Sequence, residues 1–500
     1  MKIQQFLQHH GLGANPFTDE DAQSDLVFKS GCIRQVYHPA WDKIYGDPAE
    51  PATAVVFGEK GSGKTAMRLQ IVRHLADYNA EQPDRQVFVV QYDDFNPYLD
   101  RFRERLSGRR RRADRALGQW RLWDHMDAIL AQATTQLVDR ILGAKQARHP
   151  AARDENLSPA RLDLAQKRDV LLLAACYDQS PSENLWTRWR KLQQALGLGG
   201  WFAKVLGKWD WAVGVAVTHI VVLALALMGH WDWLLTIWPH LIIAAGWAPW
   251  AWRLLKRQLL AWRLARNLRT LNQPVGPLRR VLGRLTAAQL VGQPLPAQPR
   301  TDDRYELLAK LQGVLRAFGF GGMIVLVDRV DEPYLINGST DLMRALVWPL
   351  LDNKLLKHPG LGLKVLLPIE LERLIDREDR DFHQRARLDK QNLVRGLPWT
   401  GQSLYDCAAA RVRACAAEGA APTLDDWFEP AVNERRLVEA FGQLRVPRNL
   451  AKFMYRLMTA HCNAHSDGQP VWQIASGTFE SVLALYLRDQ DAFDRGVGAG

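Results

Sequence analysis

Paired cysteines are missing from this chain of 500 residues. It holds five, Cys32, Cys176, Cys407, Cys415 and Cys462, with no CxxC spacing among them. That excludes a disulfide framework and a zinc ribbon, and fits a reducing compartment where thiols pack as small core residues. Lysine is also scarce: 17 of the 65 basic residues, the other 48 being arginine. The net charge of +11 has two readings, a bias in coding composition behind part of the excess and an attraction toward nucleic acid or anionic lipid. No apolar h-region follows the opening MKIQQFLQHHGLGANPF, so the chain is expected to start in the cytosol. No repeat array and no nuclease, protease or zinc module is recognisable. Hydrophobic and charged shares of 47% and 24% exclude a mostly disordered or fibrous chain, and the length allows two to four domains.

Tryptophan is the residue in excess. There are 19, and ten fall between Trp201 and Trp262. They frame two uncharged runs, WAVGVAVTHIVVLALALMG at 211–229 and WLLTIWPHLIIAAGWAPWAW at 233–252. As a helix the first is about 28 Å long, against about 30 Å for a bilayer core. His230, Trp231 and Asp232 form the expected tight turn. Trp209, Trp211, Trp231, Trp233, Trp250 and Trp252 stand at the ends, where amphipathic rings settle among headgroups. Lys204 and Lys208 precede the pair, and Arg253, Lys256 and Arg257 follow it. The positive-inside rule then predicts a hairpin in the inner (plasma) membrane, a multi-pass arrangement with both flanks and both termini cytoplasmic. The competing reading is a buried helical hairpin in a soluble core, to which Pro239 and Pro249 lend weight. His219 and His240 lie inside the runs. A neutral imidazole bonded to the neighbouring helix is expected there rather than a functional group.

The residues 53–78 read TAVVFGEKGSGKTAMRLQIVRHLADY. A β-rich run (Thr53–Phe57) leads into GEKGSGKT, Gly58–Thr65, and then into an amphipathic helix, which is the P-loop pattern GxxxxGK[ST]. Gly58, Gly61 and Gly63, with Glu59, Lys60 and Ser62 between them, let backbone N–H groups close around phosphate oxygens ahead of a helix N-terminus. Lys64 supplies a mobile cation for the β- and γ-phosphates, and the Thr65 hydroxyl is placed to hold Mg²⁺. The partner strand is expected in GGMIVLVDRVDEP, Gly321–Pro333, where Met323–Val327 is a continuous apolar run. Asp328 at its end would bind Mg²⁺. Asp331 and Glu332, with Glu332 favoured, would orient or deprotonate the attacking water. The competing reading is an acidic surface loop after a core strand. The two motifs lie about 265 residues apart and must meet at one nucleotide. An even number of membrane spans between them is therefore needed, and the hairpin supplies two.

GEKGSGKT and the DxxDE pattern of Asp328, Asp331 and Glu332 resemble the STAND-type branch of AAA+-like P-loop NTPases, near the KAP and NACHT groups. The acidic pattern is similar to the NACHT form, and a membrane hairpin between the two motifs is similar to KAP. The chain reads DRVDE where KAP proteins usually have a DDxDR-like pattern. The resemblance implies an α/β fold: a parallel sheet with helices on both faces, a helical insertion carrying the two-helix transmembrane hairpin, and a C-terminal helical lid. It implies that LGLKVLLPIEL, Leu361–Leu371, is the sensor-1 strand, with Glu370 as its nearest polar group. The segments 396–415 and 445–462 would form the lid, with Arg448 at the sensor-2 position reaching the γ-phosphate. A solvent-exposed arginine at a helix start is the alternative. Arg380, Arg385 and Arg387 are the arginine-finger candidates. The implied activity is ATP binding and hydrolysis with Mg²⁺, ATP being the default over GTP. A homo-oligomer, a switch role in signalling or bacterial (including antiphage) defence and a partner protein encoded nearby are further implications. Two alternatives stand beside the switch: a motor or remodeller acting on nucleic acid or protein at the membrane, and a nucleotide-binding scaffold without turnover.

The expected divisions are 1–100 (first part of the core), 101–200 (basic and helical insertion), 201–262 (hairpin), 263–300 (basic helix and linker), 301–395 (second part of the core) and 396–500 (lid). RQVFVVQYDDFNPYLD at 85–100 reads as a core strand ending in Asp93 and Asp94. Arg101–Arg121 holds nine arginines in 21 residues, read as a nucleic-acid site, an anionic-lipid site or a solvated face. Residues 122–196 read as amphipathic helices with a break near His149-Pro150. Ala195–Gly200 reads as a flexible junction, Arg253–Arg284 as a continuous basic helix, and 291–300 as a linker.

Overall fold

The computed structural model describes residues 1–143, 157–181, 183–198, 209–229, 231–283 and 292–494. The His149-Pro150 break, Gly199 and Gly200 of the junction, Lys204, Lys208 and His230 lie outside the described residues. The chain packs as two compact units, Met1–Asp93 with Met323–Gly500, and Asp94–Gly322. The first unit thus stops at Asp93 and resumes inside a strand at Met323, rather than breaking at 100 and 301.

The first unit is α/β. Its five strands are β1 (Ala54–Gly58), β2 (Gln86–Tyr92), β3 (Phe320–Val327), β4 (Leu361–Pro368) and β5 (Asn392–Val394), in the order β2-β3-β4-β1-β5. β4 pairs parallel to β1 (Ala54 opposite Lys364) and to β3 (Met323 opposite Leu361), and β5 pairs parallel to β1. Every residue of β1 and β4 is buried, which is why both read as uninterrupted apolar runs. The one charge inside, Lys364, has its ammonium on the carbonyls of Tyr45 (2.9 Å) and Ala52 (2.8 Å), and burial lowers its pKa to about 8. Parallel pairing brings the C-terminal ends of β1, β3 and β4 to one edge of the sheet.

The C-terminal helices Gly401–Ala414, Glu434–Leu444, Pro447–Ala464 and Ser476–Asp494 form a separate apolar cluster. The N-terminal helix Ile3–His9 belongs to it: Phe6, Leu7, Leu12 and Phe17 pack there against Leu404, Phe441 and Leu457. Trp427 is fully buried between Phe6 (ring centroids 5.5 Å) and Phe17 (6.1 Å), both edge-on. Each such pair adds about 0.5–1.5 kcal/mol beyond area burial. Phe6, Leu7, Leu12 and Phe17 therefore belong to the core of the C-terminal helices, not to the sheet.

The second unit is helical. Helix Leu122–Leu142 runs through its centre with Leu164–Tyr177, Leu185–Ala195 and Asp302–Ala317 around it. Inside lies a fully buried pair: Arg304 donates through Nε (3.1 Å) and Nη2 (3.0 Å) to the two oxygens of Asp127, and the Tyr177 hydroxyl donates to Asp127 at 2.9 Å. Arg304 Nη1 reaches the carbonyls of Gln298 and Arg300, so the guanidinium is nearly saturated.

The two apolar runs pack as neighbouring helices, Trp209–Met228 and Ile237–Asn267, with boundaries that differ from expectation. Trp231–Leu235 is a 3-10 turn, so the second helix begins at Ile237 rather than 233. Pro239 explains the shift, since a residue without an N–H is tolerated within the first turn, where that N–H lacks an intrahelical partner. The helix continues past 252 to Asn267, and a new helix, Val275–Leu282, replaces the expected single helix over 253–284. Pro249 inside it cannot donate to the Ala245 carbonyl. Gly214 faces the Trp247 ring and Gly246 faces Val217, where an added Cβ would come within 2.7 and 2.8 Å. Trp247 Nε1 donates to the Thr218 hydroxyl at 3.1 Å. His219 and His240 bond backbone carbonyls close in sequence, Val215 and Leu234, rather than the neighbouring helix. Among the described residues one helix, Trp211–Met228, is long and apolar enough to cross a membrane. Its mean hydropathy is 2.3 and only 11% of it is buried.

Arg304→Ala strands the Asp127 carboxylate in the core and should destabilise the second unit by about 3–5 kcal/mol. The double variant Asp127→Leu, Arg304→Met should recover most of that loss, both read from urea unfolding.

Candidate functional site

The loop Gly58–Thr65 leaves the end of β1 and enters the helix Lys64–Glu81. Two of its residues have left-handed backbone, Gly61 at φ +87° and Gly63 at φ +94°, a conformation that costs a residue with Cβ about 1–2 kcal/mol. Space is short as well: a Cβ on Gly58 would meet Ser62 Oγ at 2.5 Å, and one on Gly61 would meet Arg448 Cβ at 2.7 Å. The Lys64 ammonium donates to the carbonyls of Gly58 (2.7 Å) and Glu59 (3.0 Å). Burial lowers its pKa. The carboxylates of Asp328, Asp331 and Glu370 oppose that shift, and Arg448 adds to it.

β3 delivers Asp328 to the same edge of the sheet, 1% exposed. The Thr65 hydroxyl donates to its Oδ2 at 3.2 Å across the width of β4. Burial pushes the Asp328 pKa up. Arg68, the backbone N–H of Arg329, Lys64 and the Thr65 hydroxyl pull it down in that order. Arg68 stands one turn beyond Lys64, itself buried. Its Nη1 bonds the Asp93 carboxylate and Gln91 Oε1 (3.1 Å), and its Nε lies 3.2 Å from Asp328 Oδ2 but is too skewed to donate. Asp93 does close β2 as expected. Its cationic partner was invisible, because an arginine on a helix face reads as solvated.

The two acids beyond Asp328 are in unlike states. Arg329, at φ +61°, pairs with the Glu332 carboxylate and donates to Gln23 Oε1 at 2.9 Å. The Glu332 side chain is half exposed. Asp331 makes no ion pair among the described residues, and its charge acts on Lys64. Both line a cavity of about 410 Å³, with Lys60–Thr65, Asp328, Glu370 and Arg448. Arg380, Arg385 and Arg387 do not line it.

The C-terminal helices close the other side. The Arg448 N–H points to the Gly61 carbonyl at 3.4 Å, from the first turn of the helix Pro447–Ala464. Trp399 Nε1 donates to the Ser62 carbonyl at 2.9 Å, and its ring meets His38 edge-on at 5.2 Å. His38 Nε2 donates to the Pro398 carbonyl (2.9 Å) while Nδ1 accepts from the Ala40 N–H (3.0 Å), a network that assigns the neutral ring. Trp399 and His38 were not expected here. Trp399 stood within the quoted lid segment, but nothing in the spacing pointed either residue at the loop.

A hydroxyl and a carboxylate side by side at a loop of backbone N–H groups form a hard-oxygen donor set. Among the described residues no three His, Cys, Asp or Glu cluster as a metal cage. The pair suits a cation that keeps water and takes phosphate oxygens as its other ligands, which is the habit of Mg²⁺. Comparison with protein-family models, with curated proteins and with solved structures found no match.

Gly61→Ala should destabilise the first unit by about 1–2 kcal/mol in urea unfolding, because the φ it must keep is left-handed and Arg448 fills the space. Burial holds the His38 pKa below its usual value. Below pH about 6.5 the unfolded chain gains a proton the folded ring resists, so stability present above that pH is lost as pH falls. His38→Gln should make that acid loss shallower.

Proposed function

We propose that this chain is a membrane-anchored P-loop nucleoside triphosphatase that works as a conformational switch. The observation that carries the reading is the convergence of Lys64, Thr65, Asp328 and Arg448, from three distant stretches of sequence, on one cavity. ATP is the substrate favoured, with a phosphate chain cradled by the N–H groups of Gly61–Thr65 and the helix end behind them. On binding, the Lys64 ammonium exchanges the Gly58 and Glu59 carbonyls for phosphate oxygens. Thr65 and Asp328 would hold Mg²⁺, which when bound neutralises phosphate charge. Asp331 orients and deprotonates the water, because its carboxylate makes no ion pair among the described residues and acts on the Lys64 charge. Glu332, the acid favoured from sequence alone, is held by Arg329 and takes part only when that pair opens. Arg448 meets the γ-phosphate, so loss of that group removes the anion linking the lid to the loop.

The apolar helices support a hairpin in the inner membrane, since Ile220, Leu223, Leu227 and Ile237 are each at least 60% exposed and would otherwise face water. A homo-oligomer, a partner protein encoded nearby and a role in signalling or bacterial antiphage defence rest on the STAND and KAP resemblance alone.

The test is nucleotide binding and hydrolysis by the detergent-purified chain. Lys64→Ala should weaken ATP binding by about 100-fold or more, and Asp331→Asn should lower turnover by about 10²–10³-fold with binding intact. Glu332→Gln should lower it by less than Asp331→Asn. Unchanged ATP affinity in Lys64→Ala would sink the reading. Rapid turnover raised by duplex DNA would replace the switch with a motor.

A further inference from the structure

Four of the five arginines between Ser107 and Gly118 differ from most others in the second unit, which are engaged internally. Their place is fixed by the helix Ile237–Asn267. That helix exposes apolar side chains well past the uncharged run: Leu254, Leu255, Leu259 and Trp262 are 40–50% exposed. From Ile237 to Trp262 is about 38 Å of helix, more than the roughly 30 Å of hydrocarbon and less than the 40–45 Å of a whole bilayer. Lys256 lies 5.2 Å over the Trp252 ring, and Arg266 lies 5.2 Å over the Trp262 ring. Cations stacked on indoles belong at the headgroup level. The placement of Trp262 in the headgroup layer, and the lipid site inferred from it, rest on the membrane reading of the hairpin.

The arginine run is tied to the same level. Arg105 donates to the carbonyls of Ala265 and Leu271 (2.7 Å), which caps the end of the helix. Arg269 donates back to the Gln119 carbonyl at 3.2 Å and lies 4.8 Å over the Phe102 ring. Ala265 lies about 4.5 Å of helix beyond Trp262, while Arg269 and Leu271 follow the helix end at Asn267, so both ends of the run are held at the Trp262 end of the helix. Between them, Arg111 is spent on the carbonyls of Leu106 and Glu104, and Arg103 on that of Arg111. Arg109, Arg110, Arg112 and Arg115 are exposed, and their side chains make no hydrogen bond or ion pair among the described residues.

We propose that Arg109, Arg110, Arg112 and Arg115 form a docking surface for the anionic phospholipid headgroups of the leaflet next to Trp262. A guanidinium binds phosphate as a fork, and a surface potential acts over a Debye length of about 8–10 Å, so contact with the headgroup plane itself is not required. Nucleic acid is the weaker fit. Residues 103–119 contain no aromatic side chain on which a base could stack, and no long helix to enter a groove.

The test uses the full chain reconstituted in vesicles of one part phosphatidylglycerol to four of phosphatidylcholine. Discs are cut out with a styrene–maleic copolymer and their lipids quantified. The wild type should be enriched about twofold in phosphatidylglycerol over the bulk, and less so at high salt. Replacing all four residues (Arg109→Gln, Arg110→Gln, Arg112→Gln, Arg115→Gln) should return the ratio to the bulk value, while the four lysine replacements should keep most of the enrichment. No enrichment in the wild type, or equal enrichment in wild type and glutamine variant, overturns the proposal and leaves the membrane reading standing. So does duplex DNA binding that the glutamine variant alone loses while its lipid ratio is unchanged. A chain that stays outside the vesicles overturns the membrane reading itself.

Discussion

The arrangement at the sheet edge depends on holding one carboxylate, that of Asp328, where there is almost no water. Burying such a group unpaired would neutralise it, because desolvation raises the pKa of an acid. Arg68, the Arg329 N–H, Lys64 and the Thr65 hydroxyl all bear on it. Of these, Thr65 and Lys64 belong to the glycine-rich loop, and Arg68 to the helix behind it. Hence a shift of the loop changes the groups that act on the acid, and carries away the hydroxyl that bonds its Oδ2. Parallel strands are what make the coupling possible, since they deliver β1 and β3 to one edge with β4 between them.

The same balance recurs away from the site. Arg304 with Asp127, Arg188 with Asp178 and Asp139, Arg269 with Asp124, and Arg411 with Asp25 are all ion pairs with a buried carboxylate or a buried guanidinium. Arginine suits this use: it stays charged when buried, and its planar fork meets a carboxylate along two bonds. The chain's preference for arginine over lysine is therefore partly architectural. Net charge counted from sequence overstates how much cation is offered to a partner, and the unspent residues are the informative ones.

How much of this was legible depended on whether the signal was local. Met323–Val327 read as a strand because a strand buried on both faces is apolar throughout, and residues 53–57 because they are rich in β-formers. The glycines of Gly58–Thr65 read as a phosphate-loop pattern from their spacing, and two of them prove to need a left-handed backbone. The helices at 401–414 and 447–464 fall in segments marked only by the family resemblance. What failed was long-range. Nothing near Ile3–His9 says that Phe6 packs on Trp427, more than 400 residues away. Arg68 looks like any polar residue on a helix until Asp93 and Asp328 are beside it. Glu332 was preferred over Asp331 by its place in a pattern, while the Arg329 pairing that separates them is set by a backbone kink at Arg329. Pro239 was counted as damage to a helix when it marks that helix's first turn.

The order of the strands also has a consequence for how the protein is made. β1 and β2 are not neighbours in the sheet; β3 and β4 lie between them. The first two strands to leave the ribosome therefore cannot pair with each other. They wait for Pro368, which at about 5–20 residues per second emerges roughly 15–55 s after Tyr92. The apolar stretch 209–267 is synthesised inside that interval. During it the helix Lys64–Glu81 has no completed sheet to cover it, and the nascent chain displays its longest hydrophobic surface before the cavity at the sheet edge exists. On the membrane reading, insertion of the hairpin thus precedes the site in time, and a failure to insert would strand an open sheet half in the cytosol.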